Sequence, residues 1–172
     1  VTSSGKTEVY IHLIKQAIDT GKQVLFLVPE IALTTQLVSR LKHAFGDLIG
    51  VYHSRFGMNE RAELWRDVKS NLRFPIIIGA RSSVFLPFEN LGLIIVDEEH
   101  ESSFKQQDPA PRYQARDVAV YMGHHYKASV LLGTATPSLE TAYNVHKGKY
   151  GVVFLKERFG GFSLPKVHIV DI

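Results

Sequence analysis

The 172-residue sequence contains no cysteine, which excludes a disulfide framework and a zinc site built from thiolates. Its apolar runs, such as VLFLV and LGLIIV, have the length of a strand and are too short to cross a bilayer. Neither sign of charge is in large excess: 20 basic and 17 acidic residues give a net charge of +3, so a polyanionic partner is permitted but not required. The remaining composition, 45% hydrophobic and 22% charged, is that of an ordinary globular domain.

Short β-branched runs alternate with helical stretches along the chain. Most runs are continuously apolar, as in strands buried on both faces, so the alternation predicts an α/β fold: a mainly parallel sheet with helices on both faces. Such sheets bind ligands at the carboxyl ends of their strands. The predicted strands are Val24–Val28, Ile49–Tyr52, Pro75–Gly79, Leu93–Asp97, Ser129–Gly133, Val152–Leu155 and Val167–Asp171. The predicted helices are Lys6–Asp19, Ile31–Ala44, Asn59–Ser70, Gln114–Gly123 and Ser138–His146.

The N-terminal stretch VTSSGKTEVY contains most of the phosphate-binding loop G-x-x-x-x-G-K-[ST], without its first glycine. In such a loop Lys6 reaches the β- and γ-phosphates of ATP, and the Thr7 hydroxyl ligates Mg²⁺. The small residues that would offer backbone N–H groups to phosphates are Thr2, Ser3, Ser4 and Gly5. The alternative is a helix N-cap rich in serine and glycine, and the shortened motif alone leaves both open.

A phosphate-binding loop normally follows a strand, usually a central one, and here no residue precedes it. Together with the lack of an initial methionine, this predicts a piece of a longer protein whose central P-loop strand is missing. We therefore expect a gap in the sheet, with unpaired strand edges. Residues 1–155 are predicted to form the ATP-binding lobe. Residues 156–172, which include the glycine-rich stretch RFGGFSLP, are predicted to form a linker and a last strand.

Two apolar strands are predicted to end in polar side chains. LGLIIVDEEH ends in three carboxylates and a histidine, with Asp97 as the expected Mg²⁺ partner and Glu98 as the base for an attacking water. The alternative is a solvated acidic turn. LLGTATPS runs into Thr134 and Thr136, which we expect to link the γ-phosphate site to moving parts, although a helix cap would explain the same residues.

In this order, SSGKT, DEEH and GTAT resemble motifs I, II and III of superfamily 2 helicases. Longer stretches resemble the PriA family of primosomal replication-restart helicases, also called primosomal protein N-prime, over nearly the whole chain. These stretches are TSSGKTEVY, LVPEIALT, GARSSVFLPF, DEEHESSFKQ, PRYQARDVA and GTATPSLE. The resemblance implies a RecA-like P-loop NTPase lobe, the first of two, with ATP and Mg²⁺ as cofactors. It implies catalytic roles for Lys6, Asp97 and Glu98, and coupling roles for His100, Thr134 and Thr136.

The resemblance also implies contacts with DNA. LVPEIALT and GARSSVF look like motifs Ia and Ib, which touch the single-strand backbone, and Ser102–Tyr113 resembles the aromatic-rich loop of this group. In that loop Phe104 and Tyr113 would stack on bases, or else their rings fold back on the domain. The residues expected to meet the DNA backbone are Thr34, Arg81, Ser82, Lys105 and Arg112.

As a whole, a protein of this family would be a bacterial cytoplasmic 3′-to-5′ DNA helicase that assembles the primosome. Its partners would be single-stranded and forked DNA, other primosome proteins and single-strand-binding protein, with no membrane. A zinc site is expected only in the second lobe, which also supplies an arginine finger, so we expect the isolated chain to be nearly inactive. Two alternatives stay open: another superfamily 2 translocase, RecG-like or restriction-type, and a non-hydrolysing nucleotide- or DNA-binding module.

Overall fold

The computed structural model describes residues 5–34, 36–52, 56–70 and 73–155. In these ranges the helices are α1 (Lys6–Asp19), α2 (Gln36–Phe45), α3 (Met58–Ser70), α4 (Ala115–Tyr126) and α5 (Leu139–His146). The strands are β1 (Gln23–Leu27), β2 (Ile49–Tyr52), β3 (Ile76–Gly79), β4 (Leu91–Asp97), β5 (Lys105–Gln106), β6 (Tyr113–Gln114) and β7 (Ser129–Gly133). Short 3₁₀ turns occupy Glu30–Thr34, Gly46–Leu48, Arg81–Phe85 and Ser102–Phe104.

Five strands form one parallel sheet in the order β2-β3-β1-β4-β7. At its centre Leu25 of β1 is opposite Ile77 of β3 on one side and Ile94 of β4 on the other. The two-residue strands β5 and β6 pair separately and antiparallel. Each strand of the described sheet is hydrogen-bonded to its neighbour, so the expected gap within the sheet is wrong. The open edges in the described residues are those of β2 and β7.

Both faces of the sheet are covered, because successive side chains of a strand point to opposite faces and nearly all of these are apolar. Val24, Phe26 and Ile95 pack on the side of α1 and α2. Leu25 and Ile94 pack on the side of α3 and α4. The predicted α/β fold is thereby confirmed. No helix in the described ranges is long and apolar enough to cross a membrane.

Most elements lie within three residues of their predicted bounds, but two predictions need correction. The helix expected over Ile31–Ala44 is a 3₁₀ turn followed by α2, since Ala32 N donates to the Pro29 carbonyl at 2.8 Å, a tight three-residue bond. The strand expected over Val152–Leu155 is wrong, because residues 151–155 have no regular structure and no described strand pairs with them. The strand expected over Val167–Asp171 and the linker lie outside the described residues.

Candidate functional site

The start of α1 lies against the turn that follows β4. Lys6 Nζ is 2.5 Å from Glu98 Oε1 and 3.5 Å from Asp97 Oδ1. Because the strands are parallel, the turns after β4 and β7 leave the sheet at the same edge, and α1 begins there. The structure therefore brings together the lysine and the two acids on which the predicted nucleotide site depends.

Gly5 forms the N-terminal boundary of α1 in a conformation that favours glycine. Its φ of 83° and ψ of 12° are left-handed, and its carbonyl accepts hydrogen bonds from Glu8 N at 3.0 Å and Val9 N at 3.3 Å. Thr7, in the first turn, is half-buried. The other predicted phosphate-binding residues, Thr2, Ser3 and Ser4, lie outside the described residues. The structure thus describes only the second half of the predicted loop. This half lies at the N-terminus of α1, where the helix dipole is positive.

Sequence reasoning missed Tyr10, which lies one turn after Lys6. The buried Tyr10 hydroxyl donates to Asp97 Oδ1 at 2.7 Å. Burial, followed by the charge of Asp97, raises the pKa of Tyr10, so the phenol keeps its proton and acts as a donor. A Cβ at Gly133 would lie 1.9 Å from the same hydroxyl oxygen, so β7 must end in glycine here. The signal was available, because residues four apart share a helix face.

His100 connects the turn after β4 to the turn after β7. Its Nδ1 lies 2.8 Å from Thr134 Oγ1 and 3.6 Å from Glu98 Oε2, and its Nε2 lies 3.4 Å from Thr136 Oγ1. Thr134 Oγ1 also accepts a hydrogen bond from Thr136 N at 3.0 Å. The three residues expected to act in coupling therefore form one cluster, and it touches the acid expected to act as base.

The third acid of DEEH is turned away from Lys6 into the protein interior. The side chain of Glu99 is fully buried and accepts hydrogen bonds from Ser138 N (2.8 Å), Ser138 Oγ (2.9 Å), Thr141 Oγ1 (2.9 Å) and Arg116 Nη1 (3.1 Å). Burial alone raises the pKa of Glu99, but these hydrogen bonds outweigh it and hold the pKa below its ordinary value of 4.5. The sequence offered no sign that this carboxylate differs from its two neighbours.

The side chains at this edge fit a magnesium-bound nucleotide. Hydroxyl and carboxylate oxygens are the hard ligands that Mg²⁺ prefers, and Thr7 and Asp97 supply one of each. Lys6 and the N-terminus of α1 supply positive charge for phosphates. The residues that would hold the nucleotide are therefore those of the first turn of α1 and the end of β4.

The predicted DNA-contacting residues lie on the turn after β3 and on the segment between β4 and α4. Arg81, half-buried, donates through Nη1 to the Ser103 carbonyl at 3.2 Å, which ties these two segments together. Ser82, next to it, is half-buried, and Lys105 and Arg112 are exposed. The Thr34 side chain lies outside the described residues.

The two aromatic rings of the predicted stacking loop differ in position. Phe104 is 1% exposed and belongs to the core, so the prediction that it stacks on bases is wrong: the 3₁₀ turn directs a large apolar ring inward. Tyr113 is half-buried and packs edge-to-face on Phe85, with ring centroids 4.9 Å apart. Phe85, which sequence reasoning missed, is 58% exposed. The run VFLPF contains both Phe85 and Phe88, and the sequence does not show that Phe85 is the exposed one and Phe88 the buried one.

A parallel sheet that brings a P-loop lysine, an acidic strand end and a threonine-rich strand end together at one edge defines a RecA-like nucleotide-binding lobe. The chain belongs to the DEAD/DEAH box helicase family, whose model matches residues 1–145.

Its curated relatives include the replication restart protein PriA of three bacteria. Over its whole length the chain is 45% identical to that of Bacillus subtilis, 49% to that of Chlamydia trachomatis and 46% to that of Haemophilus influenzae. The resemblance to the PriA family is thereby confirmed. The chain spans 21% of the first relative and 23% of the other two, which is less than a quarter of their length.

Solved structures with the same fold include RecG bound to a three-way DNA junction, with a TM-score of 0.57 and 21% identity over 84% of this chain and 18% of that one. The C-terminal domain of Dbp5 from S. cerevisiae has a TM-score of 0.58 and 14% identity, over 87% of this chain and 82% of that one. At such identities these similarities establish the fold alone.

Proposed function

We propose that the chain is the first RecA-like lobe of an ATP-dependent DNA helicase that restarts replication. The observation that carries the proposal is the meeting of Lys6, Asp97 and Glu98 at the carboxyl edge of the sheet, with His100 bridging Glu98 to Thr134. Residues 1–155 would form this lobe, and residues 156–172 would lead to a second lobe. The small share of each relative that the chain spans supports such an arrangement.

In the proposed reaction Lys6 and the N-terminus of α1 bind the β- and γ-phosphates, and Thr7 and Asp97 hold Mg²⁺. The metal, when bound, neutralises phosphate charge. Glu98 orients the attacking water and accepts its proton. Because Lys6 Nζ lies 2.5 Å from Glu98 Oε1, Lys6 must exchange this carboxylate for phosphate oxygens when nucleotide binds. That exchange frees Glu98 for the water.

We place the DNA along the same edge, with Tyr113 and the exposed Phe85 ring beside it. Cationic and hydroxyl groups there suit phosphates, while aromatic rings suit unpaired bases. The proposed backbone contacts are Thr34, Arg81, Ser82, Lys105 and Arg112. We propose that His100, which contacts Glu98, Thr134 and Thr136, couples DNA binding on this surface to Glu98. Single-stranded and forked DNA, other primosome proteins and single-strand-binding protein in the bacterial cytoplasm, together with 3′-to-5′ movement, are part of the proposal.

Two other functions make different predictions. A RecG-like or restriction-type translocase would use the same site on a different DNA, but 45–49% identity to PriA against 21% to RecG favours replication restart. A non-hydrolysing module would bind nucleotide or DNA with no need for a base at Glu98.

The test is ATP hydrolysis by the full-length protein that carries this chain, with single-stranded DNA present. We expect Glu98→Gln to lower kcat by about 10²–10⁴-fold, because it removes a general base, while nucleotide binding persists. The matched control is Glu89→Gln, which makes the same chemical change at an exposed position before β4. Hydrolysis that is unaffected by Glu98→Gln would overturn the proposed site, and unwinding of duplexes with 3′ or 5′ tails measures the direction.

A further inference from the structure

We propose that Glu99 and Arg116 are positioning residues that fix the turn after β4, and with it Glu98, against the start of α5. This inference rests on the proposed function, because it matters only if Glu98 acts as the base. Within the part of the chain that the structure describes, neither side chain bonds to Lys6, Asp97 or Glu98. Both act through the backbone that carries Glu98.

Glu98 has a backbone conformation that requires support. Its φ is 51°, in the left-handed region, where a residue with a Cβ is disfavoured and persists only if its surroundings hold it. Two backbone hydrogen bonds support it. Glu99 N donates to the Gly133 carbonyl at 3.2 Å, and Glu101 N donates to the Glu98 carbonyl at 2.9 Å. The orientation of the Glu98 side chain therefore depends on where Glu99 is anchored.

The Glu99 carboxylate anchors this turn to two other elements. Arg116, in the first turn of α4, donates to Glu99 Oε2 at 3.1 Å and to Ser138 Oγ at 2.6 Å. Ser138 is the N-cap of α5, where its hydroxyl accepts from Thr141 N at 3.3 Å, and it also donates to Glu99. The turn after β4, the start of α4 and the start of α5 thus meet at one buried carboxylate. A fully partnered buried polar network of this kind is rigid.

The geometry separates this role from direct catalysis. Within the described residues, the carboxylate of Glu99 bonds only to Arg116, Ser138 and Thr141, and so points away from Lys6. The chain also contains a matched control on the same guanidinium. Asp117 Oδ1 accepts from Arg116 Nε at 2.9 Å, but its side chain is 66% exposed. Of these two carboxylates, only the buried one, Glu99, belongs to the turn that carries Glu98.

The experiment measures ATP hydrolysis and nucleotide KM of the full-length protein, with Glu99→Gln compared against Asp117→Asn. We expect Glu99→Gln to lower kcat by about 10- to 100-fold, the effect of misplacing a catalytic group by about an ångström, with KM for ATP unchanged. We expect Asp117→Asn to stay within about twofold of wild type, because the exposed Asp117 carboxylate does not anchor the turn that carries Glu98. A merely structural role would move both kinetic constants together with the melting temperature.

The double variant Glu99→Gln, Arg116→Gln keeps the test decisive if Glu99→Gln fails to fold, since it leaves no unpaired buried charge. We expect it to fold and to show the same loss in kcat with an unchanged KM. Wild-type kcat in a folded Glu99→Gln or double variant, or failure of both to fold, overturns the inference. If wild type hydrolyses ATP and Glu98→Gln abolishes this while Glu99→Gln does not, only the positioning role is lost. If wild type itself does not hydrolyse ATP, the proposed function fails first.

Discussion

The hydroxyl of Tyr10 in α1 donates a 2.7 Å hydrogen bond to Oδ1 of Asp97 at the end of β4. It joins the helix that follows the phosphate-binding loop to the strand that carries the proposed metal ligand. Carboxylates that bind metals are commonly oriented by such a partner behind them. The tyrosine is held in turn by its own packing, edge-to-face on Phe26 with ring centroids 5.3 Å apart.

Tyr10→Phe removes this hydrogen bond and keeps the ring. We expect the Mg²⁺ concentration for half-maximal ATP hydrolysis by the full-length protein to rise by about 10- to 100-fold, as for other residues that orient a metal ligand. A magnesium titration of the ATPase rate measures it. Tyr121→Phe, the same change at an exposed position of α4, serves as the control. Identical titration curves for Tyr10→Phe and wild type would contradict the orienting role.

Phe85→Ala and Phe104→Ala are expected to have opposite effects. Phe85 is exposed, so its loss should weaken single-stranded DNA binding by about 1–3 kcal/mol, the contribution of one stacked base, and leave stability nearly unchanged. Phe104 is buried, so its loss should lower the free energy of unfolding by about 3–5 kcal/mol. DNA titrations and urea unfolding measure the two. If Phe85→Ala binds DNA as wild type does, the exposed ring does not stack on bases.

The lowered pKa of Glu99 makes stability depend on pH in a definite direction. A carboxylate whose pKa is lower in the folded state stabilises fully above its unfolded value and loses this contribution as the pH falls through the folded one. We therefore expect the difference in free energy of unfolding between wild type and Glu99→Gln to be constant from about pH 8 to 6 and to shrink below about pH 4. Urea unfolding of the 172-residue chain across this range measures it, and a difference that grows in acid would refute it.

The isolated chain is expected to hydrolyse ATP very slowly. In phosphoryl-transfer enzymes an arginine finger contributes about 10³–10⁵ in rate, and we propose that a second lobe supplies it here. The measurement compares kcat of the 172-residue chain with that of the full-length protein, with Lys6→Ala as background. Equal rates, abolished by Lys6→Ala, would show that the lobe needs no second one.

The sheet could be predicted from sequence because most of its strands are continuous apolar runs, such as Ile76–Gly79, which are typical of strands buried on both faces. The order of the strands could not. One apolar run resembles another, and the sequence does not show that β1 lies between β3 and β4. The run over Val152–Leu155 looks equally like a strand, but a strand requires a hydrogen-bonded neighbour, and none is present in the described residues.

At the site, the motifs were sufficient to name Lys6, Asp97 and Glu98 as candidates before the fold was known, and the family resemblance added His100. The motifs were insufficient for the acid that follows Glu98, because adjacent carboxylates look alike in sequence and only the fold turns Glu99 into the interior. The aromatic rings show the same limit. Which ring is buried depends on contacts with residues far along the chain, and these contacts set the direction of a side chain in a short 3₁₀ turn.

The central strand of the described sheet, β1, precedes both of its neighbours in the chain. β1 takes its neighbours from residues 76–79 and 91–97, so the run QVLFL leaves the ribosome long before either partner exists. At about 5–20 residues per second, the wait for the second partner lasts roughly 3 to 15 seconds. During that interval the nascent chain exposes an unpaired apolar strand, which is prone to aggregate. The pace of translation between β1 and β4, and chaperone binding during it, therefore help to determine the yield of folded protein.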